Sequence, residues 1–328
     1  MTNSQTGQNL QWWLKLTIGP VLFLILVLGF DLSPGNPKVT IMAGITLWMA
    51  AWWLTEVVDL AVSSLLPLII LPVCGIMDAK MVAQQYNDQV IFLFVGGFII
   101  SFAIQKWDLH KRIALKVLSL IGSSPQLVLF GVMATTYFIS MWMSNTATVM
   151  MLLSAVLAIN THIEQEASHF HQKRFSAALL LGLAYAASIG GMATLVGTPT
   201  NMIFYGYYKS HLPADTSLNF LSWFQIGFPV SLALMLFTFA LLRFFYIKNE
   251  VKVHFDKSFF KTGYKHLGRL SYEEKWVAII FACTAILWFT RDDLKIGSFE
   301  MHGWSNIFIE KAFIQDSTVA VFMALLLF

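Results

Sequence analysis

The sequence predicts an all-α, polytopic membrane protein. Charged residues make up only 12% of the chain and hydrophobic ones 57%, where a soluble domain is about a quarter charged. Whole segments are apolar on every side, as lipid-embedded helices are, instead of carrying one apolar stripe. Two of those segments are interrupted by a short polar break far from either end. Irregular backbone at membrane depth survives only against protein or a water-filled cavity. The formal net charge of +3 is small and spread over loops, so there is no nucleic-acid footprint. Cys74 and Cys283 lie in apolar segments and read as packing residues, not a disulfide pair.

Residues 12–30 form the first predicted span. Lys15 ahead of an apolar run could head a signal peptide, but no small-x-small cleavage site follows. Residues 31–37 are turn-rich. A second helix is predicted over 39–54, with Glu56 marking its end, and a third over 60–77. Glu56 and Asp59 read as interfacial charges at a helix turn. A polar loop, 78–89, leads to a fourth helix over 90–104. Residues 106–118 are basic and amphipathic, which places them in the interface plane. Two apolar arms, 127–139 and 147–159, then flank the polar stretch from Ser140 to Thr148. Each arm has 13 residues, about 20 Å of helix against a bilayer core of about 30 Å. Neither spans, so 127–159 reads as a re-entrant hairpin.

Residues 160–174 read as a polar loop; His162, His169 and His171 there fit solvated side chains better than metal ligands. Residues 175–208 are long enough to span, yet Gly190, Gly191, Gly197 and Pro199 interrupt the middle. Secondary transporters build sites from helices broken in this way. A sixth helix covers 220–246 and a basic stretch covers 248–275. Ser271 and Glu274 form a capping box that opens a seventh helix over 275–289. The last apolar run, 319–328, reads as a helix cut short, so the chain is expected to be truncated at its C-terminus. Three regions follow: scaffold-type helices (1–89), a binding module (90–246), and a basic linker with the start of a further unit (247–328). With the N-terminus inside, fifteen of the 21 lysines and arginines fall on cytoplasmic segments, which supports a cytoplasmic N-terminus.

The two breaks carry the chemistry. At the hairpin tip Asn145 or Thr146 can cap the second arm. In the broken helix Thr198 reads as N-cap with Pro199 at the first helical position. Two helix N-termini facing one cavity attract an anion. The opposite sides of the breaks present free carbonyls. With Ser140, Ser144 and the Asn145 amide oxygen these make a cage of neutral oxygens, which suits a monovalent hard cation, Na⁺ above others. The bland alternative is a polar patch that bonds one helix to another.

These residues resemble the divalent anion:sodium symporter family. The similarity lies in Ser144-Asn145-Thr146 within Ser140 to Thr148, and in the run from Ser188 to Asn201 with its Gly197-Thr198-Pro199 turn. Phe94 to Phe98 and Leu109 to Ile113 add to it. The resemblance implies that Ser140, Ser144, Asn145 and the Gly197 carbonyl bind one Na⁺. It implies that Asn145, Thr146, Thr198 and Pro199 contact a substrate carboxylate. It also implies two inverted repeats, of which this chain holds the first and the start of the second, and a homodimer set in membrane lipid. Thr200 stands where a proline or another residue is common in the family.

The expected function is therefore a sodium-coupled symporter of C4-type dicarboxylates such as succinate, malate or fumarate, in the bacterial inner membrane. A dicarboxylate exchanger of the same fold without Na⁺ dependence is the alternative, as is a fragment inert on its own. No metal-ligand pair, nucleophile elbow or buried acid pair lies within the spans, so an enzyme is not expected.

Overall fold

The computed structural model describes residues 2–121, 124–164, 169–212, 218–247, 257–296 and 299–328. The described residues are mostly helical, and the chain divides into two compact units, Met1–Asp88 and Gln89–Phe328. Among the described residues, four stretches are long and apolar enough to cross a membrane: Gln11–Gly29, Ala79–Lys106, Lys173–Gly191 and Phe220–Tyr246.

In the first unit α1 (Thr2–Gly29) packs along α2 (Pro37–Thr55). Gly44 lets Phe23 approach, for a methyl there would sit 2.8 Å from its ring. The Trp52 indole N–H donates to the Leu16 carbonyl at 2.9 Å. Glu56 ends α2 in the left-handed region at φ 50°, and Asp59 caps the next turn by accepting from the Ala61 N–H at 2.8 Å. The predicted third helix is broken instead into α3 (Leu60–Ser63) and α4 (Leu66–Val73). Pro67 at the start of α4 has no N–H to continue a helix, Pro72 lies near its end, and Gly75 turns away at φ 63°. Asp78 caps α5 (Ala79–Gln85).

The second unit begins with α6 (Gln89–Lys106). It turns at Asp108, φ 56°, into the amphipathic α7 (Leu109–Ile121). The hairpin is α8 (Pro125–Ser140) and α9 (Asn145–Glu164). Both arms run longer than the apolar pattern: α8 extends through Gln126 and Ser140, and α9 through Asn160 and Thr161. The predicted loop 160–174 is thus largely helical. Residues 165–168 and the side chains of His162, His169 and His171 lie outside the described residues.

At the centre stands α10 (His169–Gly191), packed on α8, α9 and α12 (Phe220–Tyr246). Small residues permit this. A methyl on Gly182 would sit 2.9 Å from Leu129, and one on Gly190 would collide with the Tyr137 carbonyl. Tyr137 and Ser231 hydroxyls meet at 2.7 Å. After a break comes α11 (Pro199–His211). Then follow α13 (Lys257–His266), α14 (Tyr272–Phe289), a short antiparallel ribbon of β1 (Leu294–Ile296) and β2 (Phe299–Met301), and α15 (Asp316–Leu325). α15 lies on α6, where Gly96 admits the Ala320 backbone.

Two polar clusters tie the ends of this unit. Glu274 completes the expected capping box with Ser271. It also takes a side-on pair from Arg112 of α7, with Nη2 to Oε2 at 3.0 Å. Arg112 donates further to the carbonyls of Gly268 (3.0 Å) and Leu267 (3.2 Å). Beside it, burial pushes the His110 imidazole below its ordinary pKa. At the other end of α14, Arg291 forms a buried ion pair with Asp316 (2.9 Å) and donates to Asp292 (2.6 Å) and the Ile314 carbonyl (2.7 Å). Asp316 also accepts from the Phe220 N–H at 3.0 Å, and Asp292 from Asn219 at 2.7 Å. The starts of α12 and α15 are thereby joined to the end of α14. Next to this knot the Gly303 N–H, Asn306 and Lys311 hold the Asp293 carboxyl down at about 2.

Candidate functional site

The hairpin tip and the break in the long helix meet. The tip is the turn Met141 to Ser144 between α8 and α9, and the break runs from Met192 to Thr198 with a short 3₁₀ turn, Leu195–Gly197. Ser140 is fully buried. Its hydroxyl lies 2.8 Å from Asn145 Oδ1 and 2.7 Å from the Ala187 carbonyl of α10. A hydroxyl has one hydrogen and can donate it to only one of them. Three oxygens, from Ser140, Asn145 and the α10 backbone, thus lie within hydrogen-bond distance around one hydroxyl hydrogen.

Gly191 extends the cluster. A methyl there would collide with Asn145 Oδ1 and lie 3.1 Å from the Gly197 carbonyl oxygen; one on Gly197 would lie 2.5 Å from the Gly191 carbonyl oxygen. Glycine is required at both positions by this approach, not by an unusual φ. Thr194 donates its hydroxyl to the Met141 carbonyl and so staples break to tip. Asn201, in the first turn of α11, donates to the carbonyls of Gly191 (2.8 Å) and Thr194 (2.7 Å).

Of the residues singled out from sequence, Ser140, Asn145 and Gly197 are brought together here. Ser144 lies beside them, but its hydroxyl accepts from the Ala147 N–H at 3.3 Å. Ser144 is thus the N-cap of α9, in place of Asn145 or Thr146. That frees the Asn145 amide oxygen for Ser140 and leaves Thr146 exposed. Thr198 sits at the N-cap position of α11 in extended backbone with Pro199 behind it, as expected, yet its side chain makes no capping bond. Pro199 is exposed and Thr198 half-buried. The α11 N-terminus is consequently still open to an acceptor. The roles of Ala187, Gly191, Thr194 and Asn201 were not assigned from sequence. Three of them fall inside the run from Ser188 to Asn201, so the signal was present; the Ala187 carbonyl had none.

Two buried groups near the tip have no hydrogen-bond partner among the described residues, the Trp142 indole N–H and the Thr148 hydroxyl. Trp142 stacks on Phe220 at 6.1 Å and meets Phe281 edge-on at 5.1 Å, anchoring the tip in aromatic packing.

Replacing Gly191 with alanine is expected to cost about 1–3 kcal/mol, the usual penalty of overpacking. Gly206→Ala is the control, because a methyl there meets only Val90, at 3.7 Å. Thermal unfolding in detergent should show a lower midpoint for Gly191→Ala and little change for Gly206→Ala. Equal midpoints would contradict the close approach of Gly191 to Asn145.

Comparison with known proteins places these residues in context. Residues 50–327 match the family CitMHS, citrate transporter. The chain is similar to the sodium-dependent dicarboxylate transporter SdcS of Staphylococcus aureus strains USA300, NCTC 8325 and COL. Each is 37% identical over 318 residues, which cover 95% of this chain and 59% of the relative. The chain thus spans about three-fifths of the length of the curated relatives it matches.

Proposed function

We propose a function from one premise: this chain belongs to the CitMHS citrate transporter family. It is an integral membrane protein, and its relatives are named as transporters, not enzymes. The full-length protein is, in this reading, a sodium-coupled symporter of dicarboxylates, with C4-type acids such as succinate, malate and fumarate as substrates. The observation that carries the reading is the oxygen cluster at the tip, where Ser140 faces two acceptors with one hydrogen. Na⁺ held by Ser140, Ser144, Asn145 and the Gly197 carbonyl supplies the missing positive charge.

The order of binding follows. Neither break contains Lys or Arg, so a dianion entering a low-dielectric site finds no fixed positive charge. Carbonyl and hydroxyl oxygens alone repel it. Na⁺ reverses the local field, and one carboxylate then reaches the N-termini of α9 and α11 through Asn145, Thr146, Thr198 and Pro199. Na⁺ enters as cargo and as part of the site, which couples the two fluxes. The family resemblance implies a second hairpin and a second broken helix in an inverted repeat; these would hold the other carboxylate. It also implies a homodimer in lipid, in the bacterial inner membrane.

Asn145→Ala in the full-length protein should lower Na⁺-driven uptake of labelled succinate at least about 100-fold, because one side chain serves both solutes and each contact is worth about 1.5–3 kcal/mol. Uptake and Na⁺ dependence like those of the unmutated protein would sink the assignment.

Orientation follows from the distribution of Lys and Arg, with the N-terminus cytoplasmic. A cysteine at Ser210, exposed at the end of α11, should react with impermeant reagent only from outside. One at Arg269, exposed ahead of α14, should react only from the cytoplasm. Reaction of both from one side would exclude the path of α10, α11 and α12 across the bilayer.

A further inference from the structure

We propose that Asn201 is a positioning residue for the Na⁺ site, acting through the Gly191 and Thr194 carbonyls without touching either solute. The inference rests on the sodium-coupled reading above. Because α10 stops at Gly191, the carbonyls of its last turn lose their i+4 donors; Ile189 and Gly190 accept instead from the Met192 and Ala193 N–H groups, and Gly191 needs another donor. At membrane depth water cannot be counted on to replace them. Asn201 is 7% exposed and spends both hydrogens of its amide on two of the break's carbonyls, at 2.8 and 2.7 Å.

Two consequences follow. The Gly191 and Thr194 oxygens are occupied by a donor and do not compete for the cation. The oxygens left to it are Ser140, Asn145 and the Gly197 carbonyl, beside Ser144. Second, Gly191 is wedged between Asn145 Oδ1 and Gly197. Fixing the Gly191 carbonyl therefore sets how closely two members of the cage approach each other. A small cation needs closely set oxygens, so the amide of Asn201 governs cation affinity from outside the coordination shell. The dicarboxylate contacts proposed at Thr146, Thr198 and Pro199 come from residues that the Asn201 side chain does not bond.

The test uses the full-length protein in liposomes and separates two constants: the Na⁺ concentration for half-maximal succinate uptake, and the succinate KM at saturating Na⁺. Asn201→Ala removes the donors. Asn201→Asp keeps the size and faces both carbonyls with an acceptor. Each should raise the half-maximal Na⁺ concentration about tenfold or more, with the succinate KM at saturating Na⁺ changed less than about twofold. Asn201→Gln, which retains the two hydrogens, should fall between the unmutated protein and Asn201→Ala. Unchanged Na⁺ activation in folded variants would overturn the proposal. So would a parallel rise in both constants, or failure of all three variants to fold, either of which would make Asn201 a general structural residue. If uptake by the unmutated protein ignores Na⁺, the sodium-coupled reading itself falls. A Na⁺-driven protein with indifferent variants overturns the role of Asn201 alone.

Discussion

The constraint on which this structure depends is that peptide groups set free at membrane depth must find partners inside the protein. Breaking α10 and turning the hairpin between α8 and α9 each strand several of them. The chain satisfies one break with the other. Thr194 from the break donates to Met141 at the tip, Ser140 from the tip faces Ala187 of α10, and Asn201 closes on Gly191 and Thr194. Around Ser140 and Asn145 these contacts gather several oxygens.

Rigid supports surround it. Arg112 and Glu274 lock the interfacial α7 to the start of α14, and the Arg291–Asp316 pair locks the other end of α14 to α12 and α15. Removing one partner of such a buried pair typically costs about 3–5 kcal/mol, because the other charge is stranded. Between these ends the tip is held by aromatic packing of Trp142 and by glycines that admit backbone against backbone at positions 190, 191 and 197. The elements that carry the oxygen cluster are thus braced at both ends, while Thr146 and Pro199 stay exposed.

Much of this was legible in the sequence, for a physical reason. Polar residues inside a long apolar run are costly, so Ser140 to Thr148 and Gly190 to Asn201 announced themselves, and α12 begins and ends where its apolar run does. Finer features escaped. Capping by Ser144 instead of Asn145 or Thr146 depends on the turn's backbone, which composition does not reveal. The third helix looked continuous because Pro67 and Pro72 sit among Leu and Ile; missing N–H groups outweighed hydropathy there. The pairing of Arg112 with Glu274, 162 positions apart, left no trace in either local pattern.

In the proposed mechanism cation and anion share one site, and Na⁺ must be present before the dicarboxylate binds. Equilibrium binding of labelled succinate to purified full-length protein tests it, with Na⁺ replaced by choline at constant ionic strength. The account predicts that affinity falls by at least about 100-fold, close to 3 kcal/mol, when Na⁺ is withdrawn. Equal affinity in choline would show that the oxygen cluster around Ser140 and Asn145 does not need a cation to receive the anion, and the account would be wrong.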